Sequence, residues 1–417
     1  MLSTLLLSAC LLGPQEAVQD PLVCAADRWP GFRGLGTSHS AASDLPTSWS
    51  DEHNLAWSVE LEGLGQSSPV IFDGHAYATS VVGAQKEHGL VHCVSLADGA
   101  VQWVRRFEAS ALQESSEMIA RGAPTPWVDA AGLVVLFESG DLWGLNHAGE
   151  PQWHRALLEE YGAYAGNHGL AASVIATAGE AAVLIDHDGP SYLLQVERSS
   201  GETRWRAERS SRISWSTPVM RRTASGETQL VVSSMGSVDG YRWSDGERVW
   251  SLEGVEGNTV PSPTAVGEWV YVASNSVSSN QLLAPEAGTE PHTPALRWTA
   301  GERARPSSFG SPLVAGGRVY LVNRSGVLSA LELSSGELAW THRLPESVWA
   351  APSAADGKLW FFGREGTSAV LLDRGQAPEV IATNTLTVED TVYGVGFVEG
   401  AILLRTGSRL LCLREQP

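Results

Sequence analysis

Charge is scarce in this 417-residue chain, and basic charge is scarcer still. Asp, Glu, Lys and Arg make up only 18 % of it, with 28 basic against 47 acidic side chains and a formal net charge of −19. No stripe of Lys and Arg stands out, which disfavours nucleic acid as a partner and an anionic membrane surface equally. Cysteine is sparse too. The four residues, Cys10, Cys24, Cys93 and Cys412, are too scattered for a disulfide framework or a metal site. No apolar run is long enough to cross a bilayer as a helix. Nor does the chain contain a nucleophile elbow, a phosphate loop or a paired-carboxylate motif.

Glycine (43) and tryptophan (16) are plentiful, a balance that suits short strands joined by glycine turns. The octet LSSGELAW at 333–340 returns in variants along the chain. Tryptophans equivalent to Trp340 fall at Trp57, Trp103, Trp153, Trp205, Trp250 and Trp298, with gaps of 46, 50, 52, 45, 48 and 42 residues. A period of this size signals a repeat architecture. Gly99, Gly149, Gly201, Gly246 and Gly336 each stand four residues before a tryptophan; Pro294 takes that place before Trp298, and Val380 stands where the seventh unit's tryptophan belongs.

One unit parses in full. Residues 311–315 form a short apolar strand, Gly316-Gly317 a hairpin turn, 318–322 a second strand, 327–333 a third and 337–342 a fourth. Four strands and three tight turns fit the period, so each unit is a four-stranded antiparallel sheet, the blade of a propeller. First strands start near Ser67, Ala123, Ala172, Ser216, Ser262, Ser311, Ala351 and Tyr393, which makes eight blades. The last unit stops after its third strand, whereas residues 55–61 read like a fourth. The expectation is therefore an all-β, single eight-bladed propeller over 55–417, its last blade closed by an N-terminal strand. The loop glycines meet a demand for positive φ. The tryptophans dock each blade on its neighbour, each ring burying on the order of 150–250 Å².

Residues 1–26 read as an export leader and 27–54 as an arm ahead of the propeller. Leu7-Ser8-Ala9-Cys10 matches the bacterial lipobox, which makes Cys10 a candidate lipidation site; cleavage near Cys24-Ala25-Ala26 is the other reading. Either places the chain outside the cytoplasm, in the periplasm or at the outer membrane, attached to membrane only through such a lipid.

The sequence Ala330-Leu331-Glu332-Leu333-Ser334-Ser335-Gly336-Glu337-Leu338-Ala339-Trp340 resembles the tryptophan docking motif of pyrroloquinoline-quinone-type propellers. Trp29-Pro30-Gly31-Phe32-Arg33-Gly34 looks like the arm of exported members. The resemblance implies either a quinoprotein dehydrogenase, with quinone clamped by a tryptophan and adjacent disulfide-bonded cysteines and with calcium held by Glu, Asn and Asp, or a BamB-like exported protein without cofactor. Adjacent cysteines are absent and no calcium set can be assembled, so the BamB-like, non-catalytic branch is expected, with neither quinone nor metal.

Candidate sites are few. Asp186-His187-Asp188-Gly189 has too few oxygens for a calcium loop, and His88 and His92, ~13 Å apart on a strand, cannot share zinc. Cys93 and Cys412 occupy the small-residue position of Ala330 and are expected to be buried and inert. Loops leading into the first strands converge at one mouth of the channel. They carry Gln66, Arg121, Asn167, His168, Trp215, Asn258, Phe309, Trp349 and Tyr393, a set suited to a peptide or a sugar. Longer insertions at 104–121, 157–169 and 284–297 are expected to decorate the faces. The expected function is a monomeric protein-binding scaffold of the cell envelope, with a quinoprotein or a carbohydrate-active propeller as the alternative.

Overall fold

The computed structural model describes residues 22–114, 120–210, 212–257, 260–288 and 292–416. In the unit around the octet, strands Leu313–Ala315, Arg318–Val322, Val327–Glu332 and Leu338–Arg343 form one antiparallel sheet. Its hairpin glycines, Gly316 and Gly317, take φ of +56° and +75°, values that cost a side chain strain but suit glycine. The same sheet recurs around the ring. Blade 1 runs from Val70–Phe72 to Val101–Glu108, blade 2 from Trp127–Asp129 to Pro151–Ala156, blade 3 from Ile175–Ala176 to Thr203–Arg209 and blade 4 from Val219–Arg222 to Arg248–Val255. Blade 5 runs from Thr264–Val266 to Ala295–Thr299, the octet's own sheet is blade 6, and blade 7 runs from Ser353–Ala355 to Pro378–Thr385. Blade 8 contributes Val392–Val398, Ala401–Thr406 and Arg409–Leu413, and its outer strand is Leu55–Glu60, antiparallel to 409–413. The chain is an eight-bladed propeller closed by its N-terminal strand.

In blades 1 to 7 the first strands begin two to four residues later than the sequence suggested, because the residues before them build something else, while that of blade 8 begins at Val392, one residue before the expected Tyr393. The Ser68 amide donates to Thr125 Oγ1, Thr125 to Ser173 Oγ, Ser173 to Thr217 Oγ1, Thr217 to Ser262 Oγ and Ser262 to Ser311 Oγ, all at 2.8–3.0 Å. Each blade thus satisfies the buried backbone donor of the blade before it. This hydroxyl belt joins blades 1 to 6 around the channel. The equivalent positions in blades 7 and 8 are Ala351 and Gly394.

The arm forms the hub of the wheel. Trp29 and Ile71 of blade 1 exchange two backbone hydrogen bonds, at 2.9 and 2.8 Å, and Pro30 accepts from the Val128 amide of blade 2. Phe32 and Leu35 line a narrow cavity with Val174 and Ile175 of blade 3, and Gly36 fits against Val219 of blade 4. Arg33, 3 % exposed, donates to Pro263 O and Thr264 Oγ1 of blade 5 and to Pro312 O of blade 6. His39-Ser40 adds a fifth, parallel strand to blade 7, and Trp29 packs on Phe397 of blade 8 at 5.5 Å. Residues 29–40 therefore reach all eight blades and plug the channel on the side of the belt away from the mouth. The guanidinium of Arg33 meets hydroxyls and carbonyls rather than a carboxylate, and burial pulls its pKa down to about 9.

At the rim, the glycine of each octet receives the tryptophan of the preceding blade. The five pairs are Trp57 on Gly99, Trp103 on Gly149, Trp153 on Gly201, Trp205 on Gly246 and Trp298 on Gly336. A Cβ at any of these glycines would lie 2.5–2.9 Å from an indole carbon, and their φ is 74–75°, so shape and backbone both demand glycine. The indole N–H of each donates to a carbonyl of the same loop: Leu96, His147, Arg198, Trp243 and Leu333. Two rings face loops without that glycine and find side-chain acceptors, Trp250 on Gln229 of its own blade and Trp340 on Asp373 of blade 7. In blade 7 the tryptophan's place, expected at Val380, is taken by Ala382, which pairs with Val370 just before the strand's bulge; Val380 stands two residues earlier and is 46 % exposed.

Cys93, Ala330 and Cys412 each sit opposite a blade tryptophan. Both thiols are free and buried, and burial raises them to about 11. Residues 104–108, expected to open a face insertion, instead complete the outer strand of blade 1; Leu157–Tyr161 is a short helix and Pro285–Ala287 a single 3₁₀ turn. The leader through residue 21, including Cys10, lies outside the described residues, and among the described residues no helix is long and apolar enough to cross a membrane.

Candidate functional site

The loops between one blade's outer strand and the next blade's inner strand ring the mouth opposite the plug. The structure brings the anticipated residues together in two sectors, while Asn258 lies outside the described residues.

The polar sector spans blades 1 to 4. Gln66 and Arg121 interlock: the Gln66 amide donates to Arg121 O and the Arg121 amide to Gln66 Oε1, at 2.9 and 3.0 Å. The Ala120 amide donates to His168 O, His168 lies 5.5 Å from the Trp215 ring, and the Trp215 indole donates to Gly169 O. Asn167 beside them is exposed. Two residues not anticipated from the sequence complete this sector. Lys86, 4 % exposed, donates to Ala120 O, and its pKa is lowered by burial. Glu138, 1 % exposed, accepts from the Ala123 amide through Oε1, while its Oε2 is buried without a hydrogen-bond partner. Arg121 Nε and His168 Nδ1 are likewise buried and unpartnered. A signal for Lys86 existed, since it is one of only two lysines in the chain. Glu138 gave none, because it lies in a turn between second and third strands rather than in a loop entering a blade.

The aromatic sector spans blades 6 to 8. Phe309 and Trp349 stack at 4.5 Å and 7°, Trp349 meets Tyr393 edge-on at 5.6 Å, and the guanidinium of Arg324 lies 5.4 Å from the centre of the Phe309 ring. All three rings are half-buried. They stand over the blades where the hydroxyl belt is interrupted.

The remaining clusters are structural. Asp186 pairs with Arg209, and His187 accepts from the amides of Ala165 and Gly189 through Nδ1 at 3.1 and 2.9 Å. His92 shares a hydrogen bond with Ser80 Oγ at 2.8 Å. Among the described residues no group of three or more His, Cys, Asp and Glu is placed to hold a metal ion.

Residues 47–174 and 287–389, more than half of the chain, match the model of a family described as outer membrane protein assembly factor BamB. The chain belongs to this BamB-like family of quinone-type repeat propellers. No curated protein matches it in sequence. Among solved structures it is similar to BamB from Moraxella catarrhalis, with 12 % identity over 86 % of this chain and 99 % of that one and a TM-score of 0.60. Similar too are a europium-containing methanol dehydrogenase, at 9 % identity over 92 % and 90 % of the two chains and a TM-score of 0.61, and the quinohemoprotein alcohol dehydrogenase from Comamonas testosteroni, at 11 % over 94 % and 81 % and 0.63. At these identities the likeness is one of fold.

The residues of this chain do not fit the quinone that the fold accommodates elsewhere. No two cysteines are adjacent in the sequence, and the three described thiols are buried, in the hub and opposite rim tryptophans. Among the described residues of its two sectors the mouth offers one buried carboxylate, Glu138, rather than the several oxygens a calcium ion needs. It presents guanidinium and ammonium donors on one side and stacked rings on the other.

Proposed function

We propose that this chain is an exported propeller of the cell envelope that binds a protein segment at its mouth and serves as a scaffold, not a catalyst. The observation that carries this reading is the pairing of a polar and an aromatic sector around one mouth of a channel sealed from the other side by the arm. A peptide laid across the opening would stack an aromatic or apolar side chain on Phe309 and Trp349 and present polar groups to Arg121 and Glu138. The outer blade edges offer a second mode, addition of a partner strand. Family membership supports an envelope location. Because Cys24 is buried in the hub, a leader removed upstream of it, with lipid on Cys10, accords better with the fold than a cut near Cys24-Ala25-Ala26.

A photo-crosslinking residue at position 349 in the native envelope tests the reading. Capture of a defined envelope protein, lost on Phe309→Ala while the melting temperature holds, supports it. Capture that is indifferent to Phe309, or turnover of alcohols or sugars by the purified chain given pyrroloquinoline quinone and calcium, overturns it.

A further inference from the structure

A cavity of about 360 Å³ lies between the outer strand of blade 3 and the third and outer strands of blade 4, on the flank of the wheel at the outer end of the loop that carries Trp215. Its inner wall is a buried ionic lattice. Arg209 donates to Asp186 Oδ1 and Oδ2, Asp239 Oδ2, Tyr241 Oη and Ser234 Oγ, which uses all five of its N–H groups. Asp239 in turn accepts from Ser237 and Ser251 hydroxyls. The wall is therefore self-satisfied, and its charges need no ligand.

The rim is different. Arg248, with a side chain 54 % exposed, makes one loose approach of 3.7 Å to Asp239 Oδ1. Arg212 hydrogen-bonds Ser210 and Ser237, leaving a proton on each terminal nitrogen, and lies 3.9 Å from Asp239 Oδ2. Glu208, the other carboxylate lining the cavity, is paired with Arg206 outside it. Two guanidinium forks thus face the cavity over a carboxylate already held by Arg209, and both keep N–H donors unspent.

We propose that this cavity is a binding site for a small oxyanion, a carboxylate or phosphate group, held in bidentate fashion by Arg212 and Arg248. Planar forks of N–H donors match such groups in geometry as well as charge. In a chain of net charge −19 long-range attraction is absent, so selection rests on the short-range fork and favours a single acidic group over a polyanion.

The test titrates the full chain calorimetrically with succinate, inorganic phosphate and neutral succinamide. Saturable binding of succinate, of phosphate or of both at one site, with none for succinamide, is expected, and the two anions decide between carboxylate and phosphate. Arg248→Gln should weaken binding about tenfold, as loss of a charge-assisted pair does, without moving the melting temperature of the free protein, since that side chain is exposed. Raising salt from about 50 to about 200 mM should weaken it further. No binding of either anion at about 10 mM, equal binding of succinamide, or full affinity in Arg248→Gln overturns the proposal. None of these outcomes bears on the mouth, whose test uses different residues.

Discussion

Adjacent blades are joined in two different ways, and the contrast shows which parts of the molecule the repeat can build and which it cannot. At five junctions a tryptophan lies on the next blade's glycine loop and donates to a carbonyl there. Between blades 7 and 8 no such loop exists, because the third strand of blade 8 ends at Leu413 and its outer strand begins at Leu55. A tryptophan at the matching position, 382, would have nothing to dock on, and the residue there is alanine. The arm makes the joint instead. Trp49, 4 % exposed, packs in parallel planes on Trp360 and Phe362 of blade 7 at 6.3 and 6.1 Å, within an apolar cluster shared with blade 8. Its amide donates to Asn384 Oδ1, and Asn384 Nδ2 returns a bond to Thr47 O. Asn54, buried at φ +58°, takes bonds from the amides of Arg414 and Gln416 and so ties the two chain ends.

The hardest way to break the comparison is to remove the closing strand. Deleting residues 55–60 exposes the edge of 409–413 and strips one sheet of its outer member. Loss of the soluble monomer on size exclusion, with aggregation, is expected; a shortened chain that elutes and melts as the full one does would show that the seam contributes nothing. Next in size is Trp49→Ala. It leaves a void beside Trp360 and Phe362 and should cost about 3–5 kcal/mol by chemical denaturation, the range for emptying a buried aromatic site. A cost near zero would mean that the arm rests on the seam without joining it.

A pH series sharpens the contrast at the junction of blades 8 and 1. His92 of blade 1 is 1 % exposed, and its pKa is pushed down to about 4, mainly by burial and then by the charge of Arg405 in blade 8. A base whose folded pKa lies below its unfolded value of 6.5 stays neutral in the fold while the unfolded chain takes up a proton. The unfolded state then binds more protons between pH 6.5 and about 4, so stability falls on acidification through that window. The loss from this group should reach about 3 kcal/mol at most. Replacing His92 with Gln should flatten the difference in melting temperature between the two ends of the window; an unchanged slope would assign the acid sensitivity to the carboxylates.

The regular part of this architecture was legible because a repeat states the same solution many times. Trp340 and Gly336 reveal blade 6 alone, but Trp103, Trp153 and Trp205 make the period, and the resemblance between 55–61 and 338–344 predicts closure. The plug was not legible. Trp29-Pro30-Gly31-Phe32-Arg33-Gly34 occurs once, and its partners are carbonyls of innermost strands more than two hundred residues away, such as Pro263 and Pro312. Serines and threonines before the prolines read as small residues, and only the ring brings each hydroxyl to the preceding blade's amide. The mouth was half legible. Loops entering the blades pointed to Arg121, His168, Phe309, Trp349 and Tyr393, but the pairing of the last three, and the recruitment of Glu138 and Lys86, depends on which blades become neighbours.

The smallest expected effect isolates the rule behind the five clasps. If a tryptophan stabilised a junction merely by covering apolar surface, Ala382→Trp would strengthen blade 7, since the added ring is larger and the site is only half-buried. If the ring instead needs a glycine loop and a carbonyl on the next blade, the substitution finds neither at the seam, and stability should stay within about 0.5 kcal/mol of the parent, as for an ordinary surface change. The control is Gly246→Ala, where the loop exists but the new methyl would lie 2.5 Å from Trp205 at a φ of +74°. That change should cost about 2–4 kcal/mol from overpacking and backbone strain together. A stabilised Ala382→Trp beside a tolerated Gly246→Ala would reverse the argument, making area rather than the loop the source of the clasp.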